Sequence, residues 1–355
     1  MSKFKELRAA MAAKGVDAVI ITDPVNVSYV SEFSGDESGL VVTQSQAALV
    51  TDSRFVEAAK GEVHDADIVL HTKGLVPYMG QMVDDWGAKT VGFESAYMTF
   101  ENYDALRKNT KAELVPTWHM VEQIREIKSA DEIALIQKAV DIAQAGYEHV
   151  IATIKPGMTE QQVATDLDFF MRGQGASAVS FETIVASGYR SALPHGFAVD
   201  KVIEAGDVIT LDWGALYKGY MSDLTRTFAV GTPDPKMDEV YKIVFQANQE
   251  MAEVMNPGTL GKTMQAAAHR AIDAAGYKEY FGHGAGHGIG RDIHEGPGAW
   301  GQFMETPILP GNVLTDEPGI YLPGIGGVRI EDDILITADG HQRMSQVAPA
   351  ELLHI

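Results

Sequence analysis

The feature that most limits how this chain can fold is a weak internal repeat in its second half. Residues 155–176 (KPGMTEQQVATDLDFFMRGQGA) resemble residues 256–277 (NPGTLGKTMQAAAHRAIDAAGY). Each copy has a Pro-Gly turn, a helical pattern and a glycine near its end. The second half is therefore predicted to contain two copies of one helix-and-strand unit.

The strand parts of the two copies carry acidic residues at matching places. IEAGDVITLDWGA aligns with ILPGNVLTDEPGI, which places Asp212 on Glu317. After a short slip, KGYMSD aligns with GGVRIE, which places Asp223 on Glu331. Because both acidic pairs match, each copy is predicted to present two carboxylates from a strand–turn–strand element.

The first third of the chain has a different pattern. It alternates helical segments with short apolar runs, as α/β domains do; the runs are residues 18–22, 39–43, 47–52, 66–71 and 90–94. Near residue 122 the pattern changes to that of a long helix, with Ser129 as N-cap and Glu132 completing a capping box. We therefore predict an α/β domain over residues 1–122 and a catalytic domain over residues 123–355, and an α+β class for the whole chain.

Composition excludes several classes of function. The 355 residues have a formal net charge of −21, which repels phosphate backbones and anionic membranes, so neither nucleic acid nor a membrane is an expected partner. No apolar run is long enough for a membrane span, and the N-terminus reads as an amphipathic helix and not a signal peptide, so a cytoplasmic location is expected. Because the chain has no Cys, any metal must be held by carboxylates and imidazoles.

Two strand-like runs flank a turn at Lys218-Gly219, so Asp212 and Asp223 are expected to face each other across a hairpin. Opposed carboxylates repel unless a cation lies between them or one is protonated. Considered alone, this pair fits a solvent-exposed edge hairpin as well as a metal site.

The second acidic pair ends or follows apolar strands. The strand period places Arg329 and Glu331 on one face, and Pro318 forces Glu317 into an extended conformation before a turn. Asp316 is expected to point the other way, where it would affect local packing or an interface.

A glycine-rich segment, FGHGAGHGIGRDIHEGPG, contains His283, His287 and His294 among seven glycines. Glycine lets a backbone pack close to a site and leaves imidazoles uncrowded, so a ligand or substrate-binding role is favoured here. The segment is not the HExxH zinc motif, and GxSxG does not occur in the chain. Four carboxylates with one imidazole suit a two-metal site for Mn²⁺, Co²⁺ or Zn²⁺.

The motifs LDWGALYKGYMSDLTRTF, GHGAGHGIG, DIHE, TDEPGIY and GGVRIEDD, with SALPHG upstream, resemble those of the pita-bread metallopeptidases. That resemblance covers essentially the whole chain and implies the pita-bread fold, with its internal pseudo-two-fold repeat, for the second domain. It implies that Asp212 chelates one metal, that Asp223 and Glu331 bridge two, and that His287 and Glu317 complete the other. Glu317 would also orient or deprotonate the attacking water.

The same resemblance extends to substrate binding. His195, His283, His294 and Arg329 match residues lining the site of proline-specific members, where His294 would stabilise the tetrahedral intermediate. The first domain resembles the one that precedes the catalytic domain in aminopeptidase P, prolidase and creatinase, which argues against a methionine aminopeptidase. Dimerisation is the family expectation.

An Xaa-Pro bond is a tertiary amide without an N–H, so its hydrolysis needs a dedicated site. The main hypothesis is an Xaa-Pro aminopeptidase acting on a proline-containing peptide with two divalent ions, Mn²⁺ first. The alternative is a prolidase that cuts only Xaa-Pro dipeptides. A metal-free creatinase-like enzyme and a non-catalytic pita-bread binding module are disfavoured because all five ligand positions are present.

Overall fold

The computed structural model describes residues 3–298 and 305–355. The chain divides into two compact units, Met1–Ile124 and Arg125–Ile355. Within the described ranges, no helix combines the length and the apolar character needed to cross a membrane.

The first unit is built on a mixed sheet with strand order β4-β3-β2-β1-β5-β6. Its pairs β1–β2 and β2–β3 are antiparallel and the others parallel. The strands are β1 Ala18–Ile21, β2 Ser38–Thr43, β3 Ala47–Thr51, β4 Asp67–Leu70, β5 Thr90–Phe93 and β6 Glu113–Pro116. The helices are α1 Lys3–Lys14, α2 Pro24–Ser31, α3 Val56–Glu62, α4 Leu75–Asp85, α5 Phe100–Asn109 and α6 Met120–Arg125.

Each of the five apolar runs of the first unit is a strand in the structure, which confirms the α/β pattern. The sequence pattern missed β6. This strand lies at the sheet edge, and its sequence ELVP has only two apolar positions between an exposed Glu113 and a proline. An edge strand with one open side does not need a continuous apolar run, so periodicity gives little signal for it.

The second unit starts with a long helix whose N-terminus is capped as predicted. The Ser129 side chain accepts from the Glu132 N–H, and the Glu132 side chain accepts from the Ser129 N–H. The elements of the first repeat are α7 Ala130–Thr153, α8 Glu160–Gly173, β7 Ala178–Val179, β8 Ile184–Ser187, β9 Val208–Trp213, β10 Ala215–Tyr217, β11 Tyr220–Met221 and β12 Leu224–Ala229, with a 3₁₀ turn at Gly188–Ala192.

The second repeat runs through the same order: a long helix, a shorter helix, then strand, hairpin and strand. Its elements are α9 Pro235–Val254, α10 Gly261–Ala274, β13 Val313–Asp316, β14 Gly319–Leu322, β15 Gly326–Arg329 and β16 Asp332–Ile336, followed by β17 His341–Arg343 and β18 Leu353–His354; a 3₁₀ turn lies at Lys278–Tyr280. The predicted internal repeat is confirmed.

The repeat positions the four acids equivalently. Asp212 lies near the end of β9 and Glu317 directly after β13, while Asp223 directly precedes β12 and Glu331 directly precedes β16. Strands β9 and β12 pair antiparallel, as do β13 and β16. The two halves are joined where Glu331 donates its N–H to the Thr225 carbonyl at 3.0 Å.

Helices cover the strands from two sides, which gives this unit two apolar cores. One core contains side chains of α9 and α10, and the other contains side chains of α7 and α8. Successive side chains of β9 point to opposite faces, so Val208 packs in the first core, whereas Ile209 and Leu211 pack in the second. Strands buried on both sides hold the acidic residues at their ends in fixed positions.

Candidate metal centre

All nine site residues named from the sequence line one cavity of about 360 Å³ in the second unit. They are Asp212, Asp223, His287, Glu317, Glu331, His195, His283, His294 and Arg329. Part of the wall is apolar, including Phe181, Ile184 and Ile293. A pocket with apolar walls and a few converging polar groups is the usual form of a ligand site.

Asp212 and Asp223 do not oppose each other directly, so that expectation was wrong. Asp212 pairs with Thr225 across β9 and β12, and Asp223 lies two residues before Thr225. The turn at Lys218-Gly219 is correct, with φ of 47° and 80° at these residues. Since the two acids are diagonal neighbours on one face, they still converge on the cavity.

Thr225 is a site residue that sequence reasoning missed. Its hydroxyl donates to Glu331 Oε2 at 2.7 Å and accepts from Arg329 Nε at 3.1 Å. It is fully buried. Thr225 therefore orients one acid of the second repeat from a strand of the first. No sequence pattern marked Thr225, because its place opposite Asp212 depends on the register of the β9–β12 ladder.

His287 and Glu317 are held on neighbouring backbone segments. The His287 N–H donates to Thr315 Oγ1 at 3.1 Å, and the Thr315 N–H donates to the His287 carbonyl at 2.8 Å. The Glu317 N–H donates to the Ala285 carbonyl at 2.8 Å. The glycine-rich segment thus pairs with β13 and its extension.

The acidic and imidazole groups surround a common point. His287 Nε2 lies 3.6 Å from Asp223 Oδ2 and 3.7 Å from Glu317 Oε1. Ligand atoms of Asp223, His287 and Glu331 all lie within 4.8 Å of one another. The Oδ1 atoms of Asp212 and Asp223 are buried without a hydrogen-bond partner among the described residues. Buried orphan carboxylate oxygens around one point fit the coordination of cations.

The electrostatics lead to the same conclusion. Burial, together with the charges of Glu331 and Asp212, raises the pKa of Asp223 well above its usual range. Burial also raises the pKa of Glu331, helped by Glu317 and Asp212, and raises that of Glu317 to about 8. Four carboxylates clustered in this cavity cannot all be ionised side by side without positive charge among them, and divalent cations would supply it.

Two histidines stand at the open part of the cavity. His195 and His294 are exposed, and the rings of His287 and His294 lie 4.2 Å apart, centre to centre. Burial, with His195 nearby, lowers the pKa of His294, and burial lowers that of His287 to about 4. Both imidazoles are therefore neutral near pH 7, so His287 has a lone pair for a metal and His294 has one N–H to donate.

Arg329 connects the cavity wall to a further residue that the sequence analysis missed, Tyr321. The Arg329 guanidinium donates to Asp212 Oδ2 at 2.7 Å, to Tyr321 Oη at 2.8 Å, to Thr225 Oγ1 and to the Pro194 carbonyl. These bonds occupy four of its five N–H groups. The Tyr321 hydroxyl also lies 2.9 Å from His283 Nε2. Arg329 is thus placed to hold Asp212 more than to grip a substrate.

Asp316 is fully buried, and within residues 3–298 and 305–355 neither of its carboxyl oxygens has a hydrogen-bond partner. It pairs with Asp332 across β13 and β16, and its carbonyl accepts from Asn248 Nδ2 at 3.3 Å. Burial, with the charge of Asp332, raises its pKa well above the usual range. Asp316 therefore belongs to the interior and lies away from any surface interface.

With this geometry established, comparison with known proteins decides the family. The model of "Metallopeptidase family M24" matches residues 134–338, more than half of the chain. The chain belongs to metallopeptidase family M24. Residues 3–127 of this peptidase match the "Creatinase/Prolidase N-terminal domain" model. The hydrolase class and the two-domain pita-bread architecture are confirmed.

Several relatives match this M24 peptidase over nearly their full length. An Xaa-Pro dipeptidase of Pyrococcus horikoshii is 39% identical over 97% of both chains. The solved structure of an Xaa-Pro dipeptidase from Bacillus anthracis is 43% identical, covers 99% of both chains and has a TM-score of 0.95. The crystal structure of an X-Pro aminopeptidase from Thermotoga maritima is 34% identical over 100% of both chains, with a TM-score of 0.92.

Proposed function

We propose that this M24 peptidase is an Xaa-Pro dipeptidase, a prolidase, that works with two divalent cations. The observation that carries the proposal is the 43% identity over 99% of both chains to the Bacillus anthracis Xaa-Pro dipeptidase. The archaeal relative named as an Xaa-Pro dipeptidase supports the same choice. The sequence analysis preferred an aminopeptidase, and the comparisons favour its alternative.

The five clustered side chains are proposed as the metal ligands. Asp212 would chelate one ion, Asp223 and Glu331 would bridge, and His287 and Glu317 would complete the second ion's site. The donor set supports Mn²⁺, Co²⁺ or Zn²⁺, because imidazole is a poor ligand for Ca²⁺. We take Mn²⁺ as the first candidate.

When bound, the ion pair would acidify a water molecule near neutral pH and polarise the scissile carbonyl. Glu317, at the cavity wall, would accept the proton of that water and pass it to the proline nitrogen, which becomes a secondary amine on cleavage. His294, neutral and exposed to the cavity, would donate a hydrogen bond to the carbonyl oxygen as negative charge develops there.

Substrate length is the finer part of the proposal. The cavity volume of about 360 Å³ is near the small end of the range of about 300–1,000 Å³ for ligand pockets, which suits a short peptide. His195 lies exposed beside it, where the C-terminal carboxylate of a dipeptide could be bound. The C-terminal end of a dipeptide would thus be recognised in the same cavity as the scissile bond.

The test compares initial rates on Ala-Pro and Ala-Pro-Ala with Mn²⁺-loaded protein. A prolidase cleaves the dipeptide at least tenfold faster in kcat/KM. Comparable or faster cleavage of the tripeptide would instead support the second candidate, an Xaa-Pro aminopeptidase, which the Thermotoga maritima structure favours. Ala-Ala serves as the control for proline specificity and should not be cleaved.

A further inference from the structure

Glu295 directly follows His294 in the chain and has the opposite environment. His294 is exposed to the cavity, whereas Glu295 is 2% exposed. The proposed mechanism uses His294 but gives Glu295 no task. The proposed role of His294 requires its imidazole to point in one direction. A buried carboxylate on the next residue is therefore a candidate for positioning that imidazole.

Glu295 is held by two buried cations. Its Oε2 accepts from Arg125 Nη2, and its Oε1 lies 2.8 Å from Lys128 Nζ. The side chains of Arg125 and Lys128 are each 1% exposed. Both cations lower the pKa of Glu295 against the effect of burial, which by itself raises it, so the carboxylate stays ionised.

The same carboxylate shapes the loop that carries His294. Oε2 also accepts the backbone N–H groups of Arg291 and Asp292, at 3.1 and 3.2 Å. The Glu295 N–H donates to the Gly288 carbonyl at 2.9 Å. That bond joins the residue after His287 to the residue after His294 and closes the loop between the two imidazoles.

Two glycines of this segment make room for Glu295. A Cβ at position 290 would lie 2.2 Å from Glu295 Oε1, and a Cβ at position 288 would lie 2.5 Å from the Glu295 carbonyl oxygen. Neither glycine has a positive φ, so close approach is the reason that a side chain is excluded. The glycine spacing of the segment thus serves the Glu295 clamp.

We propose that Glu295, clamped by Arg125 and Lys128, is a positioning residue that aims the His294 imidazole at the scissile carbonyl. The clamp acts through His294 and not through the metal ligands. Because a donor displaced by about 1 Å can lose about a hundredfold in rate, the clamp contributes to catalysis without touching the substrate. This inference rests on the role of His294 in the proposed function.

The first test is kinetic. In Glu295→Gln the carboxylate charge is lost, so kcat on Ala-Pro should fall by roughly tenfold to a hundredfold, with KM within about threefold of wild type. Metal content per chain should stay unchanged. Loss of metal would overturn the proposal, because Glu295 would then act through His287.

The decisive test is a double-mutant cycle with His294→Ala. If Glu295 acts through His294, adding Glu295→Gln to His294→Ala should lower kcat by no more than about twofold. If the fold-losses in kcat of the two single variants multiply in the double variant, the residues act independently and the proposal is overturned. If Glu295→Gln fails to fold, the same cycle is measured with Lys128→Met, which keeps the ion pair between Arg125 and Glu295.

NMR of the His294 imidazole tests the proposal without measuring activity. In Zn²⁺-loaded full-length protein with ¹⁵N-labelled histidine, the His294 ring signals, assigned by their absence in His294→Ala, should shift in Glu295→Gln. The signals of His149, a half-buried histidine that pairs with Asp166 and does not line the cavity, should not shift. Unchanged His294 signals would overturn this proposal, whether or not the protein cleaves Xaa-Pro peptides. Failure to cleave Xaa-Pro peptides would by itself reject only the proposed function.

Glu94→Gln is the matched control. Glu94 is also a buried carboxylate, 5% exposed, that accepts from two backbone N–H groups, of Thr22 and Asp23. It lies in the first unit. Its substitution should leave kcat and the His294 signals unchanged, and a loss as large as in Glu295→Gln would show that removing any buried carboxylate has this effect.

Discussion

At the level of single residues, the main feature of the cavity is that four carboxyl groups of like charge lie close together. Burial raises the pKa of each of Asp212, Asp223, Glu317 and Glu331, and mutual repulsion adds to the shift at the last three. The Arg329 guanidinium opposes this rise in the pKa values of Asp212, Glu317 and Glu331, and it donates to Asp212. Such a cluster is stable only if protons or metal ions neutralise it.

We predict that Glu331→Ala removes at least one of two metal ions and lowers turnover by more than tenfold, because a single Glu331 would contact both ions. Metal analysis after dialysis and initial rates on Ala-Pro measure the two effects. Glu351→Ala, an exposed carboxylate with 81% side-chain exposure, is the control and should change neither. Turnover above a tenth of wild type would reject the bridging role.

We also predict that metal binding releases protons and strengthens as pH rises from 6 to 8. Carboxylates with raised pKa values, such as Glu317 at about 8, are protonated in the metal-free protein near pH 7 and must lose the proton to bind an ion. His287, with its pKa near 4, releases none. Calorimetry of Mn²⁺ binding in buffers of different ionisation enthalpy measures the number of protons, and a value of zero would contradict this electrostatic account.

At the level of secondary-structure elements, the site depends on how the chain passes from the β9–β12 pairing into the β10–β11 hairpin. Strand β9 pairs with β12 and continues through Gly214 into the β10–β11 hairpin. A Cβ at position 214 would lie 1.9 Å from the Ser222 carbonyl oxygen. Gly214 therefore allows the close crossing that places Asp212 and Asp223 on the same cavity wall.

Gly214→Ala should destabilise the protein by about 1–3 kcal/mol and weaken metal binding, since the backbone between the two acids must shift. Thermal unfolding and Mn²⁺ titration test both effects. Gly173→Ala is the matched control, because a Cβ there meets nothing within 4 Å at the end of α8. Equal losses in both variants would show that the crossing at Gly214 has no special importance.

At the scale of the whole molecule, all the proposed ligands lie in the second unit, Arg125–Ile355, and they come from both halves of its repeat. Metal ions would therefore link the halves. A ligand that binds only the folded state stabilises it by about 2.7 kcal/mol at a hundred times its Kd.

We expect metal removal to loosen the second unit selectively. On treatment with EDTA, backbone amides of β9, β12, β13 and β16 should lose hydrogen-exchange protection, whereas those of β1, β2 and β5 in the first unit should not. Exchange measured by mass spectrometry with and without Mn²⁺ compares them. Equal loss in both units would argue against a metal centre confined to the second.

Much of the architecture was accessible from the sequence, because local patterns carry it. The five apolar runs, the Ser129 capping box and the hairpin turn at Lys218 are decided by neighbouring residues. The convergence of the acids could be inferred because the repeat matched them in pairs. Strand β6 was missed because an edge strand with only two apolar positions has no strong period.

Local sequence patterns and the internal repeat were enough to predict that these acidic side chains converge and which strand ends carry them, since periodicity and turns are local properties. Four features follow only from the three-dimensional fold: the diagonal register of Asp212 and Asp223, the bonds of Thr225, the bonds of Tyr321, and the clamp around Glu295. The bond of Thr225 to Glu331 and the Glu295 clamp join residues roughly a hundred or more positions apart, and the other two features depend on strand register or on loop packing; no local pattern records any of these.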